Sequence, residues 1–236
     1  TTGSIVNDGG NSTGASWGAY DNDGDLDLFV TNYFTENNFL YRNEGSGTFT
    51  KITAGEIVND GGASVGSAWG DYDNDGDLDL FVSNDNDQNE FLYNNNGNGT
   101  FTKVTTGDIV NSGGRSNGAT WGDYDLDGDL DLVSTSVVRQ IRFYNNQNGT
   151  YNTDLTVDME SQSYKVKLCD LNNDTYPDLV ASCRNGTIVL FYNINGEFNT
   201  IPDFFPAGHG GLSFDIEDLN NDGWPDIVTS DDGDII

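Results

Sequence analysis

Short apolar runs recur along the chain, separated by clusters of Gly, Asn and Asp. Leu78-Asp-Leu-Phe-Val-Ser83 follows an acidic stretch, then come Phe91-Leu-Tyr93, an Asn/Gly-rich turn, and Phe101-Thr-Lys-Val-Thr105. Thr120-Trp-Gly-Asp-Tyr124, which enters the next acidic stretch, supplies a fourth run of the same kind. β-Branched and aromatic residues alternate with turn formers, and no window keeps helical periodicity over three turns. The pattern predicts short antiparallel strands joined by tight turns, an all-β fold.

The runs belong to a repeat. Trp17-Gly-Ala-Tyr-Asp-Asn-Asp-Gly-Asp-Leu-Asp-Leu28 returns at 69–80 and 121–132, each copy 52 residues after the last, and divergent copies begin at Asp170 and Asp218. Phe39-Leu-Tyr-Arg-Asn-Glu-Gly-Ser-Gly-Thr-Phe-Thr50 keeps step with it at 91–102, with weaker echoes at Tyr144–Tyr151 and Tyr192–Phe198. A four-stranded sheet recurring every ~50 residues cannot bury both faces until neighbours stack, which predicts blades of a β-propeller. A linear β-solenoid is the alternative, but its coils are usually shorter. One propeller domain over 1–236 is expected, with units of approximately 14–65, 66–117, 118–164, 165–212 and an incomplete 213–236. The chain starts and stops within a unit: Thr1–Tyr20 corresponds to Thr53–Tyr72, and Ile235-Ile236 aligns with Ile188-Val189 inside a third strand. About four and a half units are present, the expectation being part of a longer propeller or a piece that self-associates through open blade edges.

Charge narrows the partners. The formal net charge is −30, from 39 acidic against nine basic residues, so nucleic acid and anionic membrane surfaces are excluded and cations are favoured. Twenty of the 39 acidic residues fall in five short segments, which argues for sites rather than a uniformly solubilising surface. No apolar run approaches the ~20 residues of a membrane span, so no membrane insertion is expected. No signal-like segment opens the chain, which begins at Thr1, as a processed secreted protein or a fragment would. Cys169 and Cys183 flank one loop on neighbouring strands, where their offset favours two small buried side chains over a bridge.

The repeated acidic loop reads D-x-D/N-x-D-G-x-x-D. Calcium takes six to eight oxygen ligands, and carboxylates on alternate residues of a tight loop converge on one point. The glycine after the third acid (Gly24, Gly76, Gly128, Gly223) suits a turn needing positive φ, after which the final Asp is brought in. The expected side-chain ligands are Asp71, Asp73, Asp75 and Asp79 in the second loop, and Asp123, Asp125, Asp127 and Asp131 in the third. The fourth offers Asp170, Asn172, Asp174 and Asp178, and the fifth Asp218, Asn220, Asp222 and Asp226. A backbone carbonyl near Asp77 and water would complete the shell. In the first loop Ala19 stands where the first Asp belongs, leaving Asp21, Asp23 and Asp27 and the weakest site. Thr175 replaces the turn glycine of the fourth loop at a cost of ~1 kcal/mol if positive φ is needed there. Asp25, Asp77 and Asp129 are expected to face solvent without ligating. Four to five calcium ions, one per loop, follow. Ordinary hairpin turns also favour Asp, Asn and Gly, but five copies in register would pack uncompensated carboxylates together. An EF-hand would need Glu where Val82, Ser134 and Thr229 stand, and helices on either side.

These residues resemble the FG-GAP/VCBS repeats of integrin-α-like β-propellers, in which this loop joins the first two strands of a blade and holds calcium. The likeness covers nearly the whole chain and is strongest at 69–105 and 121–151. It implies calcium-stiffened blades and partners bound at loops on a propeller face or between blades, in a secreted or cell-surface protein. Adhesion receptors, carbohydrate-binding lectins and non-catalytic modules of surface proteins belong to that group. It therefore implies a glycan or an extracellular protein as partner, with a structural subunit of a surface assembly or filament as the alternative.

No enzyme is expected. The single histidine, His209, lies in the Gly-rich stretch Gly208-His-Gly-Gly211. A calcium-dependent polysaccharide lyase is the enzymatic alternative, but clusters of Lys or Arg to meet an anionic polysaccharide are missing. Trp17, Trp69, Trp121 and Trp224 are read as recurring at one blade position, which favours packing between sheets over sugar-stacking platforms. Five Asn-x-Ser/Thr sequons, at Asn11, Asn98, Asn148, Asn173 and Asn185, are candidate glycosylation sites, the one at Asn173 inside an acidic loop being the weakest.

Overall fold

The computed structural model describes residues 5, 7–206 and 213–230. His209 and Ile235-Ile236 lie outside the described residues. The chain is all-β and built of four-stranded antiparallel propeller blades. The first blade comprises β1 (Ser12–Gly18), β2 (Asp27–Asn32), β3 (Phe39–Asn43) and β4 (Phe49–Ile52). The second comprises β5 (Ser64–Gly70), β6 (Asp79–Asn84), β7 (Phe91–Asn95) and β8 (Phe101–Val104). The third comprises β9 (Ser116–Gly122), β10 (Asp131–Ser136), β11 (Gln140–Gln147) and β12 (Thr150–Asp158). Among the described residues helix is limited to short pieces, a 3₁₀ turn at Glu56–Val58 and a single turn, α1, at Asp108–Asn111 among them.

The fourth blade departs from strict repetition. It contains β13 (Ser163–Cys169), β14 (Asp178–Cys183) and β15 (Thr187–Phe191), then the small hairpin of β16 (Asn193–Ile194) and β17 (Glu197–Phe198). Its outer strand is β18 (Asp203–Pro206), which pairs with β15. Strands β19 (Ser213–Glu217) and β20 (Asp226–Ser230) form a two-stranded sheet. Contacts divide the chain into two compact units: Thr1–Ser116 with Gly149–Asn152, and Asn117–Asn148 with Thr153–Ile236.

Every residue of β6, β10 and β14 is buried. Each is the second strand of its sheet, paired on both edges and covered on both faces, so its apolar residues run consecutively after the first Asp instead of alternating, and small polar residues are buried beyond them. In the first unit, Tyr20, Phe29, Leu40, Ile57, Val58, Leu80, Val82 and Tyr93 form one core that joins blades one and two. In the second, Tyr124, Val133, Phe143, Val166, Leu179 and Phe191 join blades three and four. Val180, Ile188, Leu190, Phe214 and Ile216 join blade four to the last hairpin.

The Trp-Gly pair of the repeat has a packing role. Trp69 stacks on Tyr20 of the preceding blade at 6.1 Å between ring centres and tilts against Phe101 at 6.2 Å. Its ring lies on Gly18, where a Cβ would come within 2.7 Å of the indole. In the fourth blade Leu168 takes the place of Trp69 and meets Gly122 in the same way.

The expectation that all four tryptophans share this role is corrected. Trp17 is 54% exposed. Trp224 is 50% exposed and is not at the tryptophan position at all. Ile216, opposite Ile227, fills that register, as Trp69 does opposite Leu80. Trp224 lies within the fifth acidic loop, at the position of Asp25, Asp77 and Asp129. Cys169 and Cys183 are free thiols at opposite ends of the β13–β14 pair, facing Asp178 and Ser163 respectively.

Candidate metal centre

Each acidic loop joins the first and second strands of a sheet, and its last Asp is the first residue of the second strand. That residue is an anchor. Asp79 is fully buried, and its Oδ2 accepts the Tyr72 N–H at 3.0 Å while Oδ1 accepts the Asn95 N–H at 2.8 Å. Asp27 takes the same bonds from Tyr20 and Asn43, Asp131 from Tyr124 and Asn146, and Asp178 from Leu171 and Asn193. Asp226 accepts from Leu219 at 3.0 Å.

The first Asp organises the turn. Asp71 accepts the Asp75 N–H on one oxygen and the Gly76 N–H on the other, both at 3.0 Å. Asp123 holds Asp127 and Gly128 likewise, Asp170 holds Asp174 and Thr175, and Asp218 holds Asp222 and Gly223. Ala19 offers the first loop neither bond. The turn residue is left-handed throughout: φ is 95° at Gly24, 93° at Gly76, 98° at Gly128 and 90° at Gly223. Thr175 sits there at 83°, so the fourth loop carries the strain expected of a β-branched residue in this region.

The expected ligands converge in two loops. Carboxylate oxygens of Asp71, Asp73 and Asp79 lie within 4.8 Å of one another, as do those of Asp123, Asp125 and Asp127. Two oxygens each ~2.4 Å from one ion are at most ~4.8 Å apart, and both trios meet that condition for a calcium-sized cation. Asp75 stands outside the first trio and Asp131 outside the second. Loops four and five have an amide at the third position: Asn172 and Asn220 turn their carbonyl oxygens to the N–H of Asp174 and Asp222. In the first loop Asp21 and Asp23 accept the N–H of Asp23 and Asp25. The donors are all oxygen, a set that suits a hard divalent cation over a thiophilic one.

Burial among like charges tells in the titration. Removal from water, then the neighbouring Asp73 and Asp75, hold Asp79 up at about 7 against the pull of its two backbone bonds. Asp131 is likewise raised to about 7 and Asp27 to about 6, chiefly by burial, and Asp178 is raised for the same reason. Burial, followed by the Asp75 charge, also raises Asp73. A cation at this point would favour ionisation of all of them.

Two expectations about neighbours change. Asp77 is not simply solvent-facing: its Oδ1 accepts the Asn22 amide at 2.7 Å. Asp129 accepts the Asn148 N–H at 2.9 Å. A further set of residues was not foreseen, the asparagines Asn43, Asn95, Asn146 and Asn193. Besides the backbone bond to the anchor Asp, Asn95 donates its side-chain amide to Leu78 O and, across to the preceding blade, to Tyr20 O at 2.7 Å. Asn193 does the same to Pro177 O and Tyr124 O. Their recurrence in each unit after the third-strand aromatic was the signal that marked them. Asn94 and Asn145 donate to Asp73 and Asp125, at 2.7 Å each.

A family model described as FG-GAP-like repeat matches residues 20–82, 71–134 and 170–229, more than half of the chain. No curated protein sequence matches the chain. Among solved structures, it is similar to an Agrocybe aegerita lectin that recognises non-reducing terminal N-acetylglucosamine. The TM-score is 0.60 at 17% identity, over 91% of this chain and 59% of the lectin. BBS1N, solved in complex with ARL6DN, gives 0.60 at 12% identity, over 91% and 61%. The V. cholerae biofilm matrix protein Bap1 gives 0.53 at 16% identity, over 86% and 30%. The chain thus spans less than two thirds of each of these proteins, and at such identities the likeness is one of fold.

Proposed function

The chain belongs to the FG-GAP-like repeat family, and from that premise we propose that it is a calcium-binding extracellular propeller module that recognises a glycan or a protein without catalysis. The observation that carries the reading is the gathering of Asp71, Asp73 and Asp79 within the span of one ion, and in the next loop of Asp123, Asp125 and Asp127, which shares the first two of those positions. Loops two and three are the strongest sites, with loops four and five next and loop one weakest. Calcium holds the turn against the mutual repulsion of its carboxylates, and the stiffened loops then present an acidic, amide-rich surface. Two neighbours of the same fold, one a lectin and one a biofilm matrix protein, support extracellular recognition. No helix among the described residues is long and apolar enough to cross a membrane.

The test is thermal melting in calcium, magnesium and chelator, followed by glycan-array binding of the calcium-loaded protein. Calcium at a hundred times its dissociation constant adds about 2.7 kcal/mol per site, and magnesium substitutes poorly. Equal midpoints in calcium and chelator would overturn the metal reading. A second reading, a subunit of a surface assembly, draws on the half-exposed Trp17 face of the first blade and on the likeness to a matrix protein. Concentration-dependent polymers without glycan binding would favour it.

A further inference from the structure

Neighbouring acidic loops touch through one residue type. Asn22, fourth in the first loop when Ala19 is counted as its first position, has a left-handed backbone with φ 59°. Its side-chain amide donates to Asp77 Oδ1 in the second loop at 2.7 Å. Asn173, at the same place in the fourth loop and with φ 58°, donates to the Gly223 carbonyl of the fifth at 3.3 Å. We propose that the fourth-position asparagine of one loop is a positioning residue for the metal site of the next: Asn22 for the site of Asp71, Asp73 and Asp79, and Asn173 for the site of Asp218 and Asp222. The inference rests on the metal reading above and adds coupling between neighbouring sites.

Asp77 follows the turn glycine, where the backbone must reverse before Asp79 enters its strand. Its N–H is already given to Asp75 Oδ1 at 3.0 Å, so its backbone is part of the ligand-bearing turn. Its carboxylate is held on two sides. Asn22 donates to Oδ1, and Gly97 stands so close to Oδ2 that a Cβ there would fall at 2.5 Å. The tip itself has no such support, since nothing lies within 4 Å of a Cβ built on Gly76. An outside bond to Asp77 therefore adds a fixed point next to residues 73–76, which are all exposed. A charged acceptor makes that bond stronger than one between neutral groups.

Loops three and four are the contrast. Leu126 occupies the place of Asn22, with φ 61° and 46% exposure, and has no side-chain donor. Tyr176 occupies the place of Asp77. Donor and acceptor are thus replaced together where one loop meets the next. A metal ordering the first loop would order Asn22 and favour metal in the second, and by linkage the reverse holds equally.

Calcium titration calorimetry on the full chain tests this with Asn22→Gly, which keeps the left-handed backbone and removes the donor. Asn22→Gly should weaken the second-loop calcium site by about three- to tenfold, the range expected for the net contribution of a typical hydrogen bond. It should weaken the first-loop site by no more than the same factor and leave the remaining sites unchanged. Asn22→Asp, which sets a second carboxylate against Asp77, should weaken the second-loop site further. In an Asp77→Ala background Asn22→Gly should have no additional effect, and in chelator its melting midpoint should equal that of the parent chain. Identical isotherms for Asn22→Gly and the parent chain would overturn the inference. So would an undiminished effect in the Asp77→Ala background, or the same loss of midpoint in chelator as in calcium, which marks a merely structural residue. A parent chain that takes up no calcium is a different result, because it removes the metal reading and the coupling with it.

Discussion

Loops one and two are the same turn with one chemical difference. Loop two begins with Asp71, whose carboxylate takes two backbone N–H groups, whereas loop one has Ala19 there. The path of the chain is nevertheless the same: φ is 59° at both Asn22 and Asn74, and 95° and 93° at Gly24 and Gly76. In both loops the final Asp is buried and gripped by two backbone donors. Anchor and glycine are therefore enough to shape the turn. The first Asp is added to a shape already set, and what it adds is negative oxygen at the point of convergence.

The strongest way to break this division of labour is to remove an anchor. Asp79→Ala strands the N–H groups of Tyr72 and Asn95 in the interior and should cost about 2–5 kcal/mol in chelator, and more in calcium because Asp79 also belongs to the converging trio. Asp71→Ala should lower the melting midpoint mainly in calcium. Equal losses from Asp71→Ala in both solutions would show that the first Asp shapes the turn after all.

The next effect is on pH dependence. Asp79 and Asp131 titrate at about 7 and Asp27 at about 6, all above the ~3.9 of an unfolded aspartate. A folded pKa raised in this way favours the fold at low pH, and the advantage is lost as pH rises through 6–7. The chelated protein should melt higher at pH 5 than at pH 7.5. Excess calcium, which selects the ionised carboxylates, should flatten or reverse that slope; parallel pH profiles with and without calcium would contradict the site.

Ala19→Asp sharpens the comparison from the other side. It should raise calcium affinity at the first loop by about tenfold, the change in titration calorimetry accompanied by little shift of the midpoint in chelator. The smallest expected effect concerns the fourth loop. Thr175→Gly relieves a left-handed β-branched residue and should stabilise the chain by about 1 kcal/mol, read by chemical denaturation. An unchanged or lower stability would mean that the threonine is held by contacts outweighing its strain.

Much of this was legible in the residues. A 52-residue period with four apolar runs per unit requires a stack of sheets, and the glycine after the third acid marks the left-handed turn, including the strained exception at Thr175. That acids of loops two and three converge was legible because alternate acids in a tight turn have few ways to point, but that Asp75 and Asp131 stand outside the two trios was not. The tryptophans were misread because Trp224 belongs to a loop, and residue identity without strand register cannot separate it from Trp69. Asn43, Asn95, Asn146 and Asn193 passed for turn formers, since an asparagine after an aromatic looks the same whether it caps a hairpin or clamps a buried carboxylate.

By itself the sequence determined what is local and periodic: strand content, the turn's backbone sign, the repeat, and the collection of acids on alternate residues. Those follow from sterics and charge acting over a few bonds. Only the tertiary structure decided which acid is an anchor and which acids converge, which tryptophan finds a neighbouring blade, and that Asn22 reaches Asp77. The partners in each case lie on other strands or other blades, and a side chain's environment depends on groups brought close in space from far along the chain.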